Sequence, residues 1–238
     1  MYSKFLVVLL TLCLCAMAGL SAAGDLAVKA PNEGPGGAYV PSGSRADVAI
    51  WCQDPTFTGS GSSQEDDEYP FESWIADDFT VGGDEAIQSA RWWGMFFNHT
   101  TVIQPDAFVI SFFQYDGTCN PGVPPVLLYE YISYDYTTLD MGNGYYEYYA
   151  TIPPMLVDAG TTYWFCVQAV MHFSTNGQWG WDSAASISGC DSPLLFPLLG
   201  YDVWTTTELD RAFCLYYDGE DPVATQASNW GAIKSLYR

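Results

Sequence analysis

Basic residues and histidine are scarce in this chain. Seven Lys and Arg stand against 28 Asp and Glu, and there are two histidines, His99 and His172, far apart in sequence. The charge balance argues against nucleic acid and anionic lipid as partners, because a chain of net charge −21 repels both. With two histidines a multi-histidine metal centre is not available, and a histidine-dependent triad would have to use one of them. The simpler reading of each is a strand-end or loop residue. The sequence also lacks G-x-S-x-G, H-E-x-x-H and the D-x-[DN]-x-[DN]-G calcium loop. No cysteines stand at C-x-x-C spacing, which argues against a zinc or dithiol redox site. No long Ala/Leu/Glu/Lys stretch offers a helix.

The first 23 residues carry the clearest positive signal. Lys4 precedes an apolar run from Phe5 to Leu20, and Ser21-Ala22-Ala23 then stand before Gly24. This is the layout of a secretory signal peptide cleaved after Ala23. A lipoprotein anchor would need its cysteine at the cleavage point, whereas Cys13 and Cys15 each follow leucine inside the apolar run. The run is also shorter than the roughly 20 apolar residues of a membrane span. The expectation is a protein secreted to the cell exterior or cell surface, with no transmembrane segment in the mature chain.

Removing residues 1–23 leaves five cysteines: Cys52, Cys119, Cys166, Cys190 and Cys214. An oxidising compartment permits disulfides, and an odd count leaves one thiol free or paired with another chain. Cys119 and Cys190 lie in loop-like segments rich in Gly, Pro and Asp. Cys166 and Cys214 each follow a phenylalanine in a strand-like segment, and this favours them as a disulfide pair.

Residues 24–46 are rich in Gly, Pro and Ser and read as a flexible leader. Val48–Cys52 is a first strand, and 54–70 reads as loop, with the acidic run Glu65-Asp66-Asp67-Glu68 as a solvated stretch. Strand-like segments then follow at Trp74–Val81, Ile87–Phe97, Phe108–Tyr115, Val126–Tyr136, Tyr145–Ile152, Thr161–Val170, Gln178–Ser183 and Arg211–Tyr217, with Val203–Thr205 as a short extra. Val126–Tyr136 and Tyr145–Ile152 read as a hairpin across Met141-Gly142-Asn143-Gly144. In Ile87–Phe97, Ala90, Trp92, Gly94 and Phe96 share one face and Arg91, Trp93, Met95 and Phe97 the other. Large apolar groups on both faces mark a central strand, with Gly94 admitting a close neighbour. The pattern predicts an all-β, two-sheet antiparallel β-sandwich, jelly-roll-like, of about eight to ten strands over residues 47–218. Residues 219–228 read as a linker and 229–238 as a short amphipathic tail.

The segments IADDFTV, ARWWGMFF, FVISFF, TTYWFCV, QWGWDS and DRAFCLYYDG occur here in an order that resembles a broad group of uncharacterised secreted bacterial proteins. Those proteins share an A-D-D-F strand, a W-W-G strand and a late D-x-A-F-x-L-Y strand. The resemblance runs from Trp74 to Asp218 and implies a secreted β-sandwich, with no activity attached. The terminal NWGAIKSLYR is similar to a tail found at the C-terminus of some secreted bacterial proteins.

Candidate chemistry divides three ways. Trp179 and Trp181 lie two apart in one strand, so they share a face. Flat aromatic faces stack on sugar rings, which makes this pair a candidate glycan platform, against the alternative that they pack in the core. Tyr145, Tyr146, Tyr148 and Tyr149 populate both faces of their strand. Asp77-Asp78 is the most pointed carboxylate pair. One of the two is expected to face inward and bond backbone or Arg91, and a glycosidase pair is the rival reading. The acidic surface leaves calcium as a cofactor option and otherwise implies none. The expected function is a non-enzymatic secreted sandwich that binds glycan or a surface protein. A two-carboxylate carbohydrate hydrolase and a purely structural surface component are the alternatives. Asn98-His99-Thr100 fits the N-glycosylation pattern and would matter in a eukaryotic source.

Overall fold

The computed structural model describes residues 47–68, 71–97, 102–119, 126–184 and 189–218. The segments expected to be a signal peptide, a leader, and a C-terminal linker and tail, and the Asn98-His99-Thr100 triplet, lie outside the described residues. Within them the chain forms two seven-stranded sheets, and it repeatedly crosses from one to the other. The first sheet receives β1 (Asp47–Gln53) and β2 (Pro55–Ser62), the second β3 (Gln64–Glu65) and β4 (Trp74–Thr80). β5 (Glu85–Phe97) returns to the first sheet, and β6 (Ala107–Gln114) and β7 (Leu127–Ser133) go to the second. β8 (Thr137–Gly142) and β9 (Tyr145–Val157) are in the first, β10 (Thr162–Val170) in the second, and β11 (Gln178–Ala184) in the first. β12 (Pro193–Phe196) and β13 (Tyr201–Thr206) close the second sheet and β14 (Phe213–Asp218) the first. A single helical turn, α1 (Phe173–Asn176), and a 3-10 turn at Pro197–Leu199 interrupt the strands. Every pairing is antiparallel except the short parallel contact of β3 with β10.

Among the described residues the strands number fourteen, more than the eight to ten the hydrophobic pattern suggests. The excess comes largely from segments that carry little apolar signal. β2, PTFTGSGS, pairs with β11 through its backbone, which is indifferent to the polarity of Ser, Thr and Gly. The expected hairpin also divides. β7 pairs with β6 in the second sheet, and it is β8 that pairs with β9 around the Gly142-Asn143-Gly144 turn. All three turn residues have positive φ, which glycine and asparagine accept readily.

The core forms where the two inner faces meet. β5 contributes Ala90, Trp92 and Phe96, β10 contributes Tyr163, Phe165 and Val167, and β14 contributes Phe213 and Leu215. Trp179 and Trp181 of β11 join them with no exposed surface. Trp179 meets Phe108 edge-on at 5.4 Å and Tyr148 at 6.0 Å. Trp181 meets Phe165 and Phe213 at 5.6 and 5.8 Å, and its indole N–H donates to the Ala212 carbonyl at 2.8 Å. The shared face proposed for the two tryptophans is therefore the inner face of the sandwich, and neither ring can stack on a ligand. Gly94, directly opposite in β5, is the close approach that makes room: a Cβ there would collide with the Trp179 ring and with the Gly180 carbonyl.

The cysteines pair differently from the favoured arrangement. Cys52 is bonded to Cys214, and Cys119 to Cys190, while Cys166 is free and buried. The phenylalanines that suggested a Cys166–Cys214 bridge explain why it does not form. Phe165 and Phe213 face the core, so the cysteine that follows each points out of the sandwich. Cys166 packs with Trp164 and Trp204 on the outer side of the second sheet, and Cys214 with Trp93 and Tyr216 on the outer side of the first. Cys52 stands directly opposite Cys214 in the β1–β14 pair. Cys119–Cys190 ties two loops, with Cα atoms 5.1 Å apart.

Peptide mapping under non-reducing conditions is expected to recover Cys52–Cys214 and Cys119–Cys190, with Cys166 alkylated only after denaturation. The two bridges close separations of 162 and 71 residues, so each contributes about 3–5 kcal/mol in the chain-entropy account. Gly94→Ala is expected to destabilise the domain by about 1–3 kcal/mol or more in urea unfolding, since the neighbours of the new methyl group are a buried ring and backbone.

Candidate functional site

The chain crosses between the sheets along one open side of the sandwich, and a cleft of about 450 Å³ lies there. β7 is the edge of the second sheet and β8 the edge of the first, and Tyr134–Tyr136 carries the chain from one to the other. The crossover is fixed from below. The Ser133 hydroxyl donates to the Asp135 carbonyl at 3.0 Å, and the Tyr136 hydroxyl donates to the Pro105 carbonyl at 2.5 Å. The Tyr136 ring stands edge-on to Phe108 at 4.9 Å.

The opposite wall is β9. Its pairing with β5 slips between Thr151 and Met155, where Pro153 and Pro154 supply no N–H to a ladder. The Tyr129 hydroxyl donates to the Pro153 carbonyl at 2.8 Å and pins this bulge to the second sheet. β8 begins at Thr137, opposite Tyr149, so no described strand covers that side of β9 beyond Tyr149. The cleft is lined by Tyr131, Asp135, Tyr136 and Thr137 on one side and by the Tyr149–Pro153 stretch of β9 on the other. Tyr131 and Tyr136 pack partly against the core, while the Tyr149 ring lies on the outer face beside Tyr216. Burial pushes the phenols of Tyr129 and Tyr136 up to about 12, so both remain neutral donors at physiological pH.

This arrangement has the chemistry of a binding surface for a polyhydroxylated ligand. Ring faces cover the apolar side of such a ligand, while a carboxylate and hydroxyls meet its polar groups. Asp135 is the one carboxylate in the lining, whereas glycoside hydrolysis in its common form uses two. Of these residues the sequence pattern had marked Tyr149 alone. Tyr131, Asp135 and Tyr136 meet it through a crossover that sequence spacing does not reveal. The one local cue in the sequence is Pro153-Pro154, directly after the strand-like run Tyr145–Ile152.

Asp77 and Asp78 are placed elsewhere and held apart. Alternation along β4 turns Asp77 inward and Asp78 outward. Asp77 accepts from the Gln53 amide at 2.8 Å and from the backbone N–H of Arg211 at 2.7 Å. Its inward partner is thus the backbone of Arg211 and not Arg91, which lies near Glu147 at 3.7 Å and over the Tyr216 ring. Asp78 accepts from the Cys190 N–H at 2.6 Å. Asp182, fully buried on β11, accepts from the Phe57 N–H at 3.0 Å. The buried Arg211 donates to the Thr207 hydroxyl at 3.1 Å and is the one cation among these carboxylates. The two adjacent acids thus hold different segments on opposite faces of the sheet, Asp77 the end of β1 and the Arg211 backbone, Asp78 the loop at Cys190.

Burial raises Asp77 well above the ordinary carboxylate range. Asp78 rises to about 6, with burial outweighing the Cys190 hydrogen bond. Asp182 also rises to about 6, again from burial, against the lowering effect of its backbone donors and Arg211. A carboxyl raised in the folded state binds its proton more tightly there than in the unfolded chain. Its contribution therefore favours the fold at low pH and is lost as pH rises from about 4 through about 6. The melting temperature is expected to be higher at pH 5 than at pH 7.5, and Asp182→Asn should narrow that difference. Equal narrowing by Asp140→Asn, an exposed residue, would contradict the assignment.

Among the described residues no helix is long and apolar enough to cross a membrane. Comparison of the chain with protein-family models, with curated proteins and with solved structures found no match.

Proposed function

We propose that this protein is an extracellular binding module that holds glycan in the tyrosine-lined cleft between β7 and β9. The observation that carries the reading is the lining itself: three half-buried tyrosines, one carboxylate and two threonines at an opening between rigid sheets. It replaces the buried Trp179–Trp181 platform with aromatic residues that are half-buried at the rim of the sandwich. The extracellular setting rests on the N-terminal segment of signal-peptide type, and two disulfides fit an oxidising compartment. The strong acidity directs the module toward neutral sugars in preference to anionic polymers.

The test is a glycan-array screen of the purified domain, followed by calorimetry with the best neutral oligosaccharide. Tyr131→Ala and Asp135→Ala are each expected to weaken binding about tenfold, the equivalent of one lost ring contact or charged hydrogen bond. The melting temperature should change little for Asp135→Ala, an exposed position, and fall by a few degrees for Tyr131→Ala, whose ring packs partly against the core. Binding that survives both substitutions would place the ligand elsewhere, and an array without any glycan signal would reject the reading.

A further inference from the structure

We propose that Asp66, Asp67 and His172 form a site for one divalent transition-metal ion of the zinc class. Among the described residues these three bring their ligand atoms within 4.8 Å of one another. The His172 Nδ1 lies 2.8 Å from an Asp67 carboxylate oxygen and 4.0 Å from an Asp66 oxygen. An ion with bonds of about 2.0–2.2 Å to nitrogen and oxygen bridges donors separated by roughly 3–4.4 Å, so the His172–Asp66 separation fits, and the closer His172–Asp67 contact has to open by a few tenths of an ångström, which two exposed side chains can do.

The imidazole separates this cluster from the many surface acids of the chain. The run Glu65–Glu68 reads by itself as a solvated loop. The fold adds to it a histidine from more than 100 residues away in the sequence. The parallel contact of β3 with β10 sets Ala169 beside Gln64 and Val170 beside Glu65, and the Met171 N–H donates to the Glu65 carbonyl at 3.2 Å. Stacking of Phe71 on Phe173, with centroids 3.9 Å apart, holds the two segments together just beyond the site. Asp66, with its side chain buried, is oriented by the Gln64 amide at 2.8 Å, the Glu68 N–H at 2.9 Å and the Phe173 N–H at 2.8 Å. A carboxylate has about four lone-pair positions, so these three donors leave room for an ion on Asp66.

The other two donors face solvent. The Asp67 and His172 side chains are 78% and 52% exposed, which gives an ion a path in and leaves its remaining positions to water. Two carboxylates balance a divalent charge. Imidazole is a good ligand for zinc-class ions, whereas calcium takes oxygen donors. The site is thus a different one from the calcium option that acidity alone suggests.

The rival is a plain ion pair between His172 and Asp67, and calorimetry distinguishes the two. Chelator-treated protein titrated with zinc chloride at pH 7.5 is expected to bind one ion per chain. His172→Gln and Asp67→Asn, both at exposed positions, should each weaken uptake about tenfold or more, with a melting temperature near that of the parent protein in the absence of zinc. His99→Gln should leave uptake unchanged, and calcium chloride should bind more weakly than zinc. No saturable zinc binding would overturn the proposal and leave the ion pair only. Zinc uptake that is unaffected by His172→Gln would overturn it equally, because it would come from surface acids.

Discussion

The interlocking of aromatic rings between two sheets is the constraint on which the rest of this structure depends. Trp92, Phe108, Tyr148 and Trp179 meet at one end of the core, and Phe79, Phe112, Phe165, Trp181 and Phe213 at the other. Rings of this size fill the interior only if the backbone opposite yields space, which is why Gly94 lies beneath Trp179. Their burial supplies much of the hydrophobic driving force of the domain. It also decides which residues are left for function. A tryptophan committed to the core is withdrawn from the surface, and recognition falls to residues at the rim.

The polar contacts inside the sandwich serve registry. Asp77 faces the core side of β4 and holds the end of β1 through Gln53 and the approach to β14 through the Arg211 backbone. Asp78, one residue on, holds the loop that carries Cys190. Adjacent acids in a strand thereby reach opposite sides of one sheet, and each satisfies donors that no strand pairing would satisfy. Burial raises both carboxyls, Asp78 to about 6, and lowers Arg211 to about 10. The disulfides work on the outer faces, where Cys52–Cys214 joins neighbouring strands and Cys119–Cys190 joins loops.

The cleft exists because β9 outruns its neighbour β8 and is bent by two prolines. A fully paired edge would have covered it. The same side of the molecule carries the crossover from β7 to β8, so side chains from both sheets converge at one opening. The Asp66–Asp67–His172 group arises in a comparable way, at a short parallel contact that joins two otherwise unrelated segments.

Alternation and composition were enough to make the sandwich legible from sequence. Period-two patterning placed Trp92 and Phe96 on one face and Trp93 on the other, as the structure has them. It identified Gly94 as a point of close approach. It could say that Trp179 and Trp181 share a face but not which face, because that depends on which sheet lies across from them. The same limit applied to the cysteines, where matching local patterns concealed opposite outward directions. The Ser/Thr/Gly strand β2 gave no signal because backbone pairing leaves no trace in polarity. Local pattern, a property of the chain itself, determined the strands and their two-faced character. Partners distant in sequence decided the disulfides, the cleft and the convergence of His172 with Asp66, because each is a distance between segments that only the packing of the sheets sets.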